Sequence, residues 1–346
     1  MIIRKTGLIS FQLEVMNPFV LCFYHKDHFP RAKADMTPIH YLPDRDPKGD
    51  FDEKAAWRMY YGRSIPGFPM HPHRGFETIT VVTQGYADHF DSYGSKGRYG
   101  AGDVQWMTAG KGIQHAELFP LLHEDRDNPL ELFQIWLNLP RKNKMVEPSY
   151  KMLWREDIPQ LDLYFKDKRT RVRVLAGEFG GVQALDPPPH SWAADPQNKL
   201  SILLIEMEAH SRISLPAVSP TLNRMLYTYS NNGAKLVIDG VELVEGRYAQ
   251  LAGDVEVELI NTDKPIRILL LAGEPIQEPI FAHGPFVMNT RDEILEAFKD
   301  YERTGFGGWP WDQDDPVLPK ETPRCASYHH GAQTEYPSTK TRAESE

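Results

Sequence analysis

Two short segments hold side chains of the kind that ligate transition metals. Residues 70–78 read Met-His-Pro-His-Arg-Gly-Phe-Glu-Thr, and residues 110–117 read Gly-Lys-Gly-Ile-Gln-His-Ala-Glu. Each sets ligand-type side chains at i and i+2: His71 with His73, and His115 with Glu117. Successive residues of a strand face opposite ways, so an i, i+2 pair projects from one face. Three imidazoles and one carboxylate suit Fe(II), Mn, Ni, Cu or Zn, and an octahedral ion so held keeps two positions open. Oxygen activation and Lewis-acid chemistry both require such open positions.

A single HxH carries little weight in a chain with 13 histidines; two ligand-type pairs, each beside glycines that permit tight turns, carry more. Glu77 shares the strand parity of His73 and is a rival carboxylate ligand, its other reading being a supporting contact or an ion pair with Arg74. His89, His123 and His210 stand alone in the sequence and read as surface or packing histidines. His329 and His330 lie in the tail, where they offer an adventitious metal contact at most. Phe68, Phe76, Trp106 and Met107 lie near the motifs, as pocket lining or as the filling of a small β-barrel.

The elements that must carry these residues are strands. Residues 79–82, 130–139, 235–239 and 266–272 are runs of β-branched and aliphatic residues punctuated by 28 prolines and 25 glycines. Helical period is scarce; residues 290–301, with acidic residues just after Asn289-Thr290, predict one capped helix. A weak repeat links the order strand, Gly85, strand, 98–103 (RYGAGD) to strand, Gly233, strand, 246–254 (GRYAQLAGD). The repeat predicts two similar all-β units, joined between about residues 140 and 183. Residues 25–64 read as a surface insertion, and 309–346 as an extended, partly disordered Pro-rich tail.

Composition narrows the function classes. The chain has 346 residues with 41% hydrophobic and 25% charged, ordinary for a globular protein. Its 39 Lys and Arg against 48 Asp and Glu give a net charge of −9, which argues against direct nucleic-acid binding. No run reaches the apolar length needed to span a bilayer, and the N-terminus lacks a signal-peptide pattern. Cys22 and Cys325 form no metal-binding or disulfide pattern, pointing to a reducing, cytoplasmic setting, with the nucleus an alternative in a eukaryote.

The segments 71–82 (HPHRGFETITVV) and 102–117 (GDVQWMTAGKGIQHAE), with 269–290 (LLLAGEPIQEPIFAHGPFVMNT), resemble the pirin family of the cupin superfamily. The resemblance covers roughly residues 8–24 and 65–307. It implies a bicupin: two antiparallel β-barrels of jelly-roll type, with residues 1–150 holding one iron on His71, His73, His115 and Glu117. It does not use the carboxylate at Glu77. Residues 151–308 would form a second barrel, metal-free because the counterpart of the HPH segment near residues 219–224 holds no histidine, and would end in the helix near 290–301. The family resembles quercetin 2,3-dioxygenases, which implies an Fe(II) enzyme taking O2 and a flavonol or related enol-bearing aromatic, with ring cleavage and loss of carbon monoxide. Glu117 is then the candidate base for the substrate hydroxyl. Other members are described as nuclear co-regulators with iron redox state as a switch, so a metal-dependent regulatory protein with a protein partner is the alternative. A third reading is a cupin whose metal mainly stabilises its barrel.

Overall fold

The computed structural model describes residues 2–40, 46, 49–230 and 232–339. It is built of antiparallel strands with one α-helix among the described residues, Arg291–Thr304. Two compact units result: Met1–Cys22 with Ile158–Gln277, and Phe23–Asp157 with Glu278–Glu346. The division at 157/158 falls near the expected one, but both chain ends differ from the expected partition. The first 22 residues cluster with the second β unit, and the helix and the tail cluster with the first.

In the unit containing both metal-type segments, one sheet runs in the order Ser149–Leu153, Val104–Thr108, Phe76–Gln84, Asn128–Asn138, Phe19–Phe29. The other runs Gln333–Glu335, Cys325–Tyr328, Lys96–Gly100, Tyr86–Asp91, Ile113–Leu118, Gly67–His73. The ladders form two separate sheets rather than one closed ring. Phe76–Gln84 is central because its run of Thr78, Ile79, Thr80, Val81 and Val82 is buried on both faces and β-branched throughout. Gly75, at φ +87°, turns the chain from one sheet into the other; a Cβ there would stand 2.1 Å from the Val287 carbonyl oxygen.

Residues 25–64 are no surface insertion. His25, Asp27, Phe29, Trp57, Met59 and Tyr60 are buried. Asp27 accepts from Arg58 Nε at 2.9 Å and from the Tyr60 hydroxyl at 2.7 Å. The expectation for 41–45 and 47–48 lies outside the described residues. The described tail, 309–339, is also packed, and the expectation for 340–346 lies outside the described residues. Cys325–Tyr328 pairs with Lys96–Gly100, and the buried Arg98–Asp88 ion pair is closed by the Leu318, Pro319, Lys320 and Thr322 carbonyls. Both segments differ from the sequence expectation for one reason: they are anchored by aromatic and polar contacts, which leave no aliphatic periodicity.

The other unit has a sheet in the order Ile3–Leu8, Arg247–Leu251, Asn223–Thr228, Ile266–Gly273, Ser201–Met207, Lys168–Ala176, Gln160–Phe165. A smaller sheet is ordered Arg212–Leu215, Val257–Asn261, Lys235–Ile238, Val241–Val244. Leu203, Leu226 and Leu270 of the first share one core with Leu215, Leu236 and Leu259 of the second. The duplicated topology is present, but the RYG/RYA correspondence is one strand out of step. Arg247–Leu251 pairs with Asn223–Thr228 as Val104–Thr108 pairs with Phe76–Gln84, whereas Lys96–Gly100 pairs with Tyr86–Asp91.

The expected helix is present with its cap. Thr290 Oγ1 accepts from the Glu293 amide, and the Glu293 carboxylate accepts from the Thr290 amide. Its far end steadies the site strands: the Tyr301 hydroxyl donates to Gln114 Oε1 at 2.9 Å, and Gln114 Nε2 donates to the Gly305 carbonyl at 2.6 Å.

Candidate metal centre

Gly67–His73 and Ile113–Leu118 are hydrogen-bonded neighbours, and their register sets His71 directly opposite His115. The strand parity that joins His71 to His73 adds the third ring. The three offer nitrogens that all lie within 4.8 Å of one another. Ring centroids are 4.4 Å apart for His71 and His115, and 4.9 Å for His73 and His115. Among the described residues this is the one cluster of three such donors.

Burial keeps these imidazoles neutral. It pulls His71 down to about 4 and His73 and His115 well below the usual range, the neighbouring rings adding to the effect. A neutral imidazole is the form that ligates a metal. His71 Nδ1 lies 2.8 Å from the Pro69 carbonyl oxygen, and His73 Nδ1 lies 3.3 Å from that of Pro285. Donation from Nδ1 leaves each Nε2 lone pair for an ion. His115 is the sharpest test of fit: it is 0% exposed, and neither ring nitrogen has a hydrogen-bond partner. Buried polar atoms without partners are costly, and a divalent cation between these rings would satisfy one of them.

Glu117 stands beside the cluster with its Oε2 4.0 Å from His115 Nε2. Its carboxylate is held from the facing sheet and from its own. Thr80 Oγ1 lies 3.0 Å and the Tyr99 hydroxyl 3.1 Å from Oε1, and Gln134 Nε2 donates to Oε2 at 3.1 Å. Burial raises its pKa above the usual carboxylate value, against smaller opposing effects of His89 and these hydrogen bonds.

The other sequence candidates divide. Glu77 is fully buried and accepts from Thr108 Oγ1 at 2.6 Å, outside the three-histidine cluster. Arg74 pairs with Asp300 at 3.0 Å rather than with Glu77, and lies over the Phe306 ring, so it fastens the helix to the HPH strand. The Phe76 ring is 5.1 Å from His73 and Phe68 is 6.3 Å from His71. Trp106 is buried opposite Ile79, and Met107 packs with Ala109 and Ile113 as core. His123 lines a separate cavity with Phe119 and Leu130, and His210 caps a turn by donating its amide to the Thr262 carbonyl.

Sequence reading missed His89 and Trp136. His89 is fully buried, not a surface or isolated packing residue: it faces Glu117 in the ladder, its ring is 5.5 Å from His115, and its Nε2 lies 3.2 Å from Asp91 Oδ2. The signal was available, because His89 and Asp91 form a third i, i+2 pair. Trp136 packs 5.2 Å from His73 and 4.2 Å from Phe76, and nothing in its sequence setting marks it.

Comparison with known proteins gives the family. A family model for pirin matches residues 13–137, and one for the pirin C-terminal cupin domain matches residues 202–307. Pirin of Rattus norvegicus is 37% identical over 268 residues, 76% of this chain and 84% of that protein. A pirin-like protein of Arabidopsis thaliana is 38% identical over 248 residues, 69% of this chain and 76% of its own length. The crystal structure of a quercetin 2,3-dioxygenase from Acinetobacter baumannii superposes with a TM-score of 0.68 at 26% identity, covering 88% of this chain and 98% of that one. With the HPH and HxE segments on adjoining strands and both family models matched in order, this chain belongs to the pirin family.

Proposed function

We infer that this chain is an Fe(II)-dependent dioxygenase that acts on a flavonol such as quercetin, or on a related enol-bearing aromatic, with O2. The observation that carries the reading is His115, buried with both nitrogens unpartnered and directly opposite His71. The structural likeness to a quercetin 2,3-dioxygenase supplies the reaction class. His71, His73 and His115 would hold the iron, with Glu117 as the fourth group. Mn, Ni, Cu or Zn also suit this donor set. Iron bound there would supply a Lewis acid toward the substrate hydroxyl and a route for electron density toward dioxygen.

The protein's own residues do the rest. Glu117 takes the proton from the substrate hydroxyl, because its raised pKa lets it hold one while Thr80, Tyr99 and Gln134 fix its orientation. Phe68 at His71 and Trp136 at His73, both partly exposed, are the rings nearest the cluster against which an aromatic substrate would pack, with the buried Phe76 backing Trp136.

One observation favours a second reading, a metal-dependent regulator of a protein partner with iron redox state as its switch. His115, His73 and Glu117 are at most 5% exposed, so the cluster meets solvent chiefly at His71. Anaerobic loading with Fe(II), then quercetin and oxygen, tests both. Loss of flavonol absorbance in the native chain but not in His115→Ala supports the dioxygenase. Tight iron binding without turnover across a flavonol panel selects the regulator.

A further inference from the structure

The unit formed by Met1–Cys22 and Ile158–Gln277 contains a buried cation without a counter-ion. Arg224 lies on Asn223–Thr228, between Leu251 and Ala272 of the flanking strands. It shares strand parity with Leu226, a residue of the core that also contains Leu203 and Leu270, so its side chain enters the interior of the sandwich. It is 3% exposed. Nη2 donates to the Pro216 carbonyl at 2.7 Å and, at 3.5 Å, to that of Gly253, while Nη1 is buried with no acceptor.

Among the described residues no carboxylate pairs with Arg224. Glu274, just past the flanking strand Ile266–Gly273, is occupied by the hydroxyls of Ser219 and Thr221. Burial alone draws the guanidinium down from its ordinary pKa, with no neighbouring charge to offset it. An arginine nonetheless stays protonated in a protein. A buried charge of this kind needs a partner of opposite sign.

The space for one is beside it. Arg224 lines a cavity of about 550 Å³ whose deeper walls include Leu203, Leu215, Leu222, Leu270 and Ala272. That volume suits a small organic molecule. The mouth carries Glu178, Asp186 and Asp195 against Lys199, an acidic surplus that disfavours multiply charged anions. A planar carboxylate matches the guanidinium fork, and the apolar walls match a hydrocarbon or aromatic body.

We propose that this cavity is a binding site for a small organic monocarboxylate, its carboxylate on Arg224 and its apolar body against the wall formed by Leu203 and Leu270. The site lies wholly within one unit, contains none of the three clustered histidines, and does not depend on the metal reading.

The full-length chain is titrated calorimetrically with hexanoate and benzoate, with hexanamide and inorganic phosphate as controls. The expected result is one site per chain with a Kd at or below about 1 mM for the carboxylates, and affinity at least about tenfold weaker for both controls. Arg224→Met should lose carboxylate binding by about the same tenfold or more while metal content is unchanged. Should Arg224→Met fail to fold, Ala272→Leu, which fills the cavity from the flanking strand, serves instead, together with the shift of the Arg224 guanidinium NMR signal on adding hexanoate to the native chain. Absence of carboxylate binding overturns the proposal. So does equal binding of hexanamide, preference for phosphate, or an affinity that neither substitution changes.

Discussion

The candidate metal centre is built of histidines kept neutral by burial, and that makes single residues testable. Neither nitrogen of His115 has a hydrogen-bond partner among the described residues. His115→Ala should therefore abolish metal retention after dialysis, measured by elemental analysis, while leaving the strand register intact. Tyr99 acts one step out, through Glu117. Tyr99→Phe should weaken metal affinity or turnover by about 10- to 100-fold, the usual cost of losing such a supporting contact. Unchanged affinity and rate would remove Tyr99 from the site. His25 provides a pH test away from the metal cluster. Packed among Tyr60, Phe68 and Phe119, it is held down to about 3, first by burial and then by Arg58. Below its ordinary value of 6.5 the unfolded chain binds a proton that the native chain does not, so stability is full above that pH and falls as pH drops toward 3. The loss approaches about 1.4 kcal/mol per pH unit from this one group. Urea melts at pH 7 and pH 5 should show a smaller acid loss in His25→Phe than in the native chain; equal losses would mean that His25 is not held neutral.

At the scale of elements, the site depends on how strands are joined and clamped. Gly75 holds φ +87° with the Val287 carbonyl packed against its Cα. Gly75→Ala should cost about 1–3 kcal/mol from backbone strain alone, with more from the clash, and should lower metal retention with it. Chemical denaturation and metal analysis on the same samples would show whether the two losses travel together. The helix cap offers a milder perturbation. Thr290→Ala removes one half of the Thr290–Glu293 capping box and should cost about 1 kcal/mol. The expected strands at 79–82, 130–139, 235–239 and 266–272 fall within or against Phe76–Gln84, Asn128–Asn138, Lys235–Ile238 and Ile266–Gly273. They were legible because β-branched and aliphatic runs between turn residues have one good solution. Their pairing was not, and so the RYG/RYA repeat aligned strands that do not occupy the same place in the sheet. Local similarity says nothing about which neighbour supplies the hydrogen bonds.

At the scale of the whole molecule, long-range packing decides what each segment does. The sequence predicts a tail that is extended or partly disordered, yet its backbone carbonyls complete the coordination of Arg98 against Asp88, and Trp311 Nε1 donates to the Asp91 carbonyl at 2.9 Å. Asp91 is the ladder partner of His115. Truncation after Gly308 should thus lower the unfolding free energy measured in urea, by roughly 1–3 kcal/mol for each buried group left unsatisfied, and should loosen the metal as well. A truncated chain of native stability and metal content would show that the tail only decorates the sheet. No helix among the described residues is long and apolar enough to cross a membrane. The ligand-type pairs, the capped helix, the duplicated all-β plan and the family were all legible in the sequence, because strand parity, capping chemistry and ungapped motifs are local properties. Tertiary structure alone decided that His71 faces His115, that Trp136 packs beside His73, that the described parts of residues 25–64 and of the tail are anchored on the sheets, and that Arg224 lies buried with no carboxylate partner among the described residues. Each depends on residues far apart in the chain, brought together by sheet register and the facing of two sheets, and no local pattern encodes it.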